Sequence, residues 1–295
     1  MDIVRWGIAS TTDHRVVMIA LGNQYRLETL LTNREQLLDT LGFRFGRSGP
    51  HAARTLMLED LRVVFSEVAP EGLMADYIAA IVERNVLGKP TKKTRELSRR
   101  HLSALYGLDP GYAVFRALRR LWPSDHSAQP LLALVVALAR DPLLRLTRSL
   151  VLGVEPGAVV SRQDVERCLA QGDPERFSTT SLKSFAQNIL GTWTTAGFLS
   201  GRVCKIRVAP VIRPEHVALC LFFGYLEGQT GPRLFSTSWM QLLGRPSDEL
   251  DALASSASHR GHLVLMSAGG VKEVRFPGYL TAEEERRRQE IASVI

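Results

Sequence analysis

Two uninterrupted apolar runs, PLLALVVALA (130–139) and VALCLFFGYL (217–226), set the tightest limit on what this chain can fold into. Wound as helices, both are apolar on every side, so neither can lie on a surface and each must be wrapped by other elements. Each is about half the roughly 20 residues that a membrane-spanning helix needs. The reading is therefore two core helices of a mainly α protein, with no membrane partner. The 295 residues suffice for two or three small domains. A content of 45% hydrophobic and 23% charged residues is that of a globular chain. No basic-then-apolar leader stands at Met1, and Cys168, Cys204 and Cys220 form neither a CxxC pair nor an even disulfide set, so a cytoplasmic setting is expected.

Residues 1–50 read as an N-terminal extension, with a strand at RVVMIAL and a Gly-rich break at GFRFGRSGP, and no function is assigned to them. From His51 the apolar spacing turns helical: Leu56, Leu61, Val64, Phe65 and Val68 share one face, and Met74, Tyr77, Ile78 and Ile81 another. A helix starting near Thr91 or Thr94 buries Leu97, Leu102, Leu105 and Tyr106 and stops at Gly107. The next takes Asp109 as N-cap and Pro110 in its first turn, with Phe115, Leu118 and Trp122 as its apolar ridge. PLLALVVALAR and PLLRLTRSLVLG each begin at a helix-starting proline, which completes a helical bundle over 51–152. Trp122 and Trp193 both fall on apolar faces and read as core.

Past Gly157 the order of elements changes. A short helix capped by Ser161 leads into FSTTSLKSFAQNILGTWTTAGFLSG, where Leu182, Phe185, Ala186, Ile189, Leu190, Trp193 and Phe198 recur at helical spacing. RVCKIRVAPVI then alternates basic and β-branched residues, as a half-exposed strand does. The segment 153–213 reads as a first winged-helix-like domain. In 214–280 the order recurs: PEHVALCLFFGYL, a short helix capped near Ser236 or Thr237, a helix from Ser247, and a hairpin through Ala268, Gly269 and Gly270. The fold class expected is a helical bundle followed by two winged-helix-like segments with small β wings. Residues 281–295 form a charged C-terminal helix whose Glu residues neutralise its Arg residues, so it is expected to be solvated.

Charge placement points to a polyanion. The formal net charge is +7 and the pI about 9.6. Between Gly88 and Arg120, Lys89, Lys92, Lys93, Arg95, Arg99, Arg100, Arg116, Arg119 and Arg120 face only Glu96 and Asp109, a balance that equals the whole surplus. Lys92, Arg95 and Arg99 share one helical face, and Arg116, Arg119 and Arg120 another, as phosphate contacts would; solvated surface cations are the plainer reading. A winged helix sets the start of its second motif helix into the major groove. The first copy offers Ser178, Thr179, Thr180, Ser181, Lys183, Ser184, Gln187 and Asn188 there without a carboxylate, and its strand adds Arg202, Lys205 and Arg207. The same Ser and Thr residues could be simple helix caps. In the second copy Asp248, Glu249 and Asp251 suit the helix dipole and repel phosphate, so that copy is assigned to packing or partner binding.

The run VERNVLGKPTKKTRELSRRHLSALYGLDP, the helical bundle after it and FSTTSLKSFAQNILGTWTTAGFLSG, in this order, resemble BrxA, the small accessory protein of bacterial BREX phage-defence systems. The likeness covers roughly 54–277 and rests on ordered motifs of loose specificity; the residues before His51 are extra. It implies a mainly helical, winged-helix DNA-binding protein with no known catalytic centre, encoded beside a methyltransferase, an ATPase and other defence components. Family members have been labelled inner-membrane proteins, a label the two short apolar runs argue against.

No catalytic constellation is legible: there is no Walker loop and no GxGxxG after a strand, and GRSGP has the wrong spacing for a nucleophile elbow. Asp109 and Asp141, each before a proline, read as helix starts. His259 and His262, two residues apart across a helix end with no nearby Cys, read as surface histidines, so neither a metal nor another cofactor is expected. The leading expectation is a non-enzymatic protein that binds double-stranded DNA beside other defence proteins. The alternatives are a protein-interaction scaffold of a defence complex, or a winged-helix transcription regulator acting as a dimer on defined half-sites.

Overall fold

A computed structural model describes residues 32–123, 125–268 and 271–293. The strand expected at RVVMIAL lies outside them. Residues 32–40 form helix α1, and a single 3-10 turn, Pro50–Ala52, follows. The bundle continues with α2 (Leu58–Glu67), α3 (Met74–Ile78), which widens into a π-helical turn at Ala79–Glu83, α4 (Lys92–Tyr106), α5 (Ala113–Leu121) and α6 (Gln129–Arg140). Helix α6 is the first apolar run, and all its residues except Pro130 are buried. It achieves this by packing against α4, α5, α10 (Thr179–Thr195) and α11 (Pro214–Leu226). A fully buried Leu or Val contributes about 1.5–3 kcal/mol. The run Leu131–Ala139 is thus a large contiguous source of stability, and α10 of the first winged segment and α11 of the second both pack on it.

The second apolar run is α11, buried throughout except at Tyr225. His216 joins it to the bundle. Its Nδ1 accepts from the Arg213 amide at 3.0 Å, which leaves Nε2 to donate to the Ala128 carbonyl at 2.8 Å just ahead of α6. Burial pushes this imidazole down to about 4 against the favourable pull of the Ala128 bond, so it is neutral at pH 7.

Between the two runs lie α7 (Pro142–Leu146), α8 (Arg148–Gly153), α9 (Arg162–Ala170), α10 and the short strands β1 (Leu199–Ser200) and β2 (Ile206–Arg207). After α11 come a 3-10 stretch at Gly231–Ser236, α12 (Ser238–Leu242), α13 (Ser247–His259), β3 (Val264–Ala268), β4 (Val271–Arg275) and α14 (Ala282–Ser293). Both two-stranded sheets are antiparallel: Leu199 faces Arg207 in one, and Val264 faces Arg275 in the other. The described chain is mainly helical with two small β wings. Among the described residues no helix is long and apolar enough to cross a membrane.

Several local expectations change. Asp109 does not cap α5: its carboxylate accepts from the Gly111 amide at 2.8 Å, closing a turn, and the helix begins only at Ala113. PLLRLTRSLVLG is two helices, because Thr147 turns its hydroxyl onto the Leu144 carbonyl at 2.8 Å and receives the Trp193 indole N–H at 3.0 Å. Met74 is half exposed, and Trp122 is half-buried, edge-on to Phe65 with ring centroids 5.0 Å apart. Helix α14 is no solvated appendage. It buries Glu284, Arg288 and Ile291, and Glu284 pairs with Arg116 of α5 at 2.6 Å. Arg288 stacks over Tyr225 of α11, 4.2 Å from the ring centre.

Candidate nucleic-acid interface

Helix α10 is positioned from both sides. Ser178 caps it, accepting from the Ser181 amide at 3.2 Å, so the local sequence fixes where it starts. Ala186, Ile189, Leu190 and Trp193 form its buried stripe, and Trp193 meets Phe198 edge-on with centroids 5.0 Å apart. A sealed polar joint fixes how it sits. The Asp141 carboxylate accepts from the backbone and the Nδ1 of His51, both at 2.7 Å, and from the amides of Leu143 and Leu144 at the start of α7. His51 Nε2 in turn meets the Thr192 hydroxyl at 2.7 Å, and Asn188 donates to the His51 carbonyl at 3.0 Å. Burial would raise the Asp141 carboxyl, but the hydrogen bonds and charge of His51 outweigh it and hold the group below its ordinary value. Gly49 is required beside it, since a Cβ there would overlap the Asp141 carboxylate. Asp, His and hydroxyl stand in the order of a hydrolytic triad, yet all three side chains are fully buried and hold helices together.

The wing is built across three chain segments. Besides the β1–β2 pair, Val159 bridges antiparallel to Ile206, and the Val160 amide donates to the Lys205 carbonyl at 2.8 Å. Helix α8, this short strand, α9, α10 and the β1–β2 hairpin reproduce the winged-helix order, with the strand ahead of α9 on the outer side of β2. Gly201 makes the wing turn at φ 95°, and a Cβ there would strike the Cys204 carbonyl.

Ser178, Thr179, Thr180, Lys183, Ser184 and Gln187 are exposed on α10, Ser181 is half-buried behind its cap bond, and Asn188 is committed to His51. Gln187 lines a groove of about 650 Å3 together with Arg202, Lys205, Ser161 and Arg162. Arg202 is exposed and unpaired among the described residues, while Lys205 donates to the Gly201 carbonyl at 2.6 Å. Val203 stands 95% exposed between them. Arg207 is not on this surface. The two-residue strand turns Ile206 outward and Arg207 inward, the reverse of the expected alternation, because a shift of one residue exchanges the faces of a strand. Its guanidinium donates to the carbonyls of Val151, Phe198 and Val208.

Much of the basic window is committed to partners within the fold, although only Arg119 is buried. Arg119 is buried and donates to the carbonyls of Phe65 and Val68 at 3.1 and 2.7 Å, capping the end of α2, with its charge 4.2 Å from the centre of the Phe65 ring. Arg116 reaches Pro110, Tyr279 and Glu284, and Arg120 lies over the Tyr279 ring. Arg116 and Arg119 are therefore structural, whereas Arg120 stays exposed and gives one nitrogen to the Pro277 carbonyl at 3.3 Å. Lys89 pairs with Asp60 at 2.9 Å, Arg95 donates to the Val82 carbonyl at 2.7 Å in the π-helical turn, and Arg99 pairs with Glu96 at 3.0 Å. Lys92, Lys93 and Arg100 remain exposed, with no hydrogen-bond or ion-pair partner among the described residues.

Two further cations join the surface. Arg162 enters the groove because the strand before α9 pairs with β2, a contact between residues far apart in sequence, and its Nε is paired with Glu166 at 2.7 Å. Arg54 is exposed just past the 3-10 turn that packs against both α4 and α10. Burial, Arg54 and Arg100 together lower the pKa of His101 on α4, so the three lie close. In the second winged segment the acidic start of α13 holds as expected, and Asp251 pairs with Lys272 of its own wing at 2.6 Å. His262 approaches Glu215 at 3.6 Å, and among the described residues no cluster of His, Cys, Asp and Glu could hold a metal ion. No family model matches this chain, nor does any curated protein.

Proposed function

We propose that this chain is a non-enzymatic protein that binds double-stranded DNA through its first winged segment, as an accessory component of a bacterial BREX-type antiphage system. The observation that carries the DNA reading is the groove in which Gln187 of α10 meets Arg202 and Lys205 of the wing, on a helix whose Ser178-capped start carries no carboxylate. Backbone amides at that start and the flanking cations are the groups that meet phosphates, while Thr180, Lys183 and Gln187 are spaced to reach base edges. Lys92 and Lys93 extend the cationic surface at the start of α4. The defence role rests on the resemblance to BrxA alone.

The second winged segment is read as a protein-docking element. Its helix start carries Asp248 and Glu249, and its hairpin exposes Val264, Met266 and Val271, a combination that repels phosphate and suits a polypeptide. Gel shifts with random-sequence duplexes across a salt series test the reading. Retardation that weakens steeply with salt and varies little with sequence is expected; no shift at low salt refutes it.

A further inference from the structure

A cleft of about 440 Å3 opens where α1, α3, α4 and the turn before α5 converge, sharing no residue with the winged-helix groove. This volume lies within the range of about 300–1,000 Å3 usual for small-molecule sites. Arg140 is one wall. It is 5% exposed and donates to the carbonyls of Ala104 and Ser103, each at 3.2 Å, and of Gly42, with its charge 5.3 Å from the centre of the Tyr112 ring. Burial lowers this guanidinium to about 10, with Arg44 adding to the effect and Tyr112, Asp39 and Asp109 opposing it. It therefore remains charged at neutral pH, and these four groups lie within its field.

Arg44 and Arg100 also line the cleft, exposed, and their guanidiniums have no hydrogen-bond or ion-pair partner among the described residues. Arg99 gives only its Nε to Glu96. Four guanidiniums thus face two carboxylates. Met74, Ile78 and Leu108 supply apolar wall, and Leu108 is held at φ 51°, a left-handed conformation uncommon for a non-Gly residue. Strained backbone of this kind clusters at ligand sites, as do π-helical turns like the one that continues α3.

We propose that this cleft binds a nucleoside phosphate, with Arg44 and Arg100 on the phosphate and the base against the apolar and Tyr112 walls. The mixture of groups selects the class. Unpaired guanidiniums match phosphate oxygens. A planar base needs an aromatic or apolar wall, and the carboxylates of Asp39 and Asp109 accept hydrogen bonds from sugar hydroxyls or base amino groups. A bare polyphosphate would leave the apolar wall unused, and a duplex backbone is too broad and convex to enter a recess of this size.

Calorimetric titration of the full chain with ADP, GDP, CDP and UDP tests this, with the corresponding nucleosides and tripolyphosphate as partial probes. Saturable one-to-one binding of at least one nucleotide is expected, at least tenfold tighter than its nucleoside or tripolyphosphate. Arg44→Ala and Arg100→Ala should each weaken it at least tenfold while leaving the melting temperature unchanged. Ala104→Phe, which fills the cleft from α4 without altering charge, should abolish it. Absence of binding by all four nucleotides overturns the proposal. So does tripolyphosphate binding as tightly as the best nucleotide, or nucleotide binding that survives both arginine variants.

Discussion

Replacing Lys183 and Arg202 together by Ala gives the sharpest test of the DNA surface, because the size of the effect follows from counting charges. Each phosphate neutralised contributes about 0.9 to the slope of log affinity against log salt. Among the cations that no carboxylate neutralises in this fold, Lys92, Lys93, Lys183, Arg202 and Lys205 are the five that the proposal assigns to phosphates. If all five reach phosphates, the slope is about −4.5, and affinity falls about 500-fold between about 50 and 200 mM salt. The double variant keeps three, so its slope should be about −2.7 and its loss over the same interval about 40-fold. Fluorescence anisotropy with a labelled duplex at five or six salt concentrations measures both slopes. Arg286→Ala with Arg287→Ala removes the same formal charge from α14, where both residues pair with Glu283, and should leave the slope at the wild-type value. Equal slopes for the wild type and the Lys183/Arg202 variant would refute the placement of the duplex on the first wing. Equal reductions in the two double variants would show that net charge, and not contact, governs binding.

Arg119→Ala should lower stability by about 2 kcal/mol, since it strips the donors from the end of α2, while leaving DNA affinity unchanged; urea unfolding beside anisotropy separates the two. Gly201→Ala forces the wing turn out of its left-handed geometry and against the Cys204 carbonyl, and should cost DNA affinity several-fold together with more than about 1 kcal/mol of stability; anisotropy and urea unfolding read the two. The buried His216 imidazole predicts a pH dependence. Its pKa in the fold lies near 4, below the ordinary value of about 6.5, so the unfolded chain takes up the proton first. Its contribution is complete above about 6.5 and is lost, on the order of 3 kcal/mol, as pH falls toward 4. Urea midpoints at pH 7, 5.5 and 4.5 should decline for the wild type and flatten for His216→Gln; parallel curves would contradict the reading.

Helix starts and the two core helices were legible because their causes are local. Thr91, Ser161 and Ser178 each cap the helix that follows them, and residues 130–139 and 217–226 are enclosed as their composition demands. The basic window was legible as charge and not as surface. A periodicity argument places Arg116, Arg119 and Arg120 on one side of α5, but it cannot see that this side meets the carbonyls ending α2 and the loop before α14. An arginine packs its stem and satisfies carbonyls as readily as it greets solvent, and only a tertiary contact decides between the two. Glu284 shows the same limit from the acidic side: helical spacing assigned it to local pairs, while the fold gives it to Arg116, 168 residues away.

That distinction bears on how the interface itself is made. The polar character of α10 is written locally, in the hydroxyls and amides from Ser178 to Asn188. Its presentation is not, for it depends on His51 joining Asp141 to Thr192 across separations of 90 and 141 residues. The bundle therefore does more than support the winged segment: by fixing the inner end of α10 with charged, buried hydrogen bonds, it leaves the Ser178 end free to face a ligand without reorganising on contact. A rigidly held helix start loses little conformational freedom on binding, so contacts to it count nearly in full toward affinity. On the proposed DNA reading, the first wing, rather than the cation-rich α5 whose Arg116 and Arg119 are committed to internal partners, is where binding free energy is expected to concentrate.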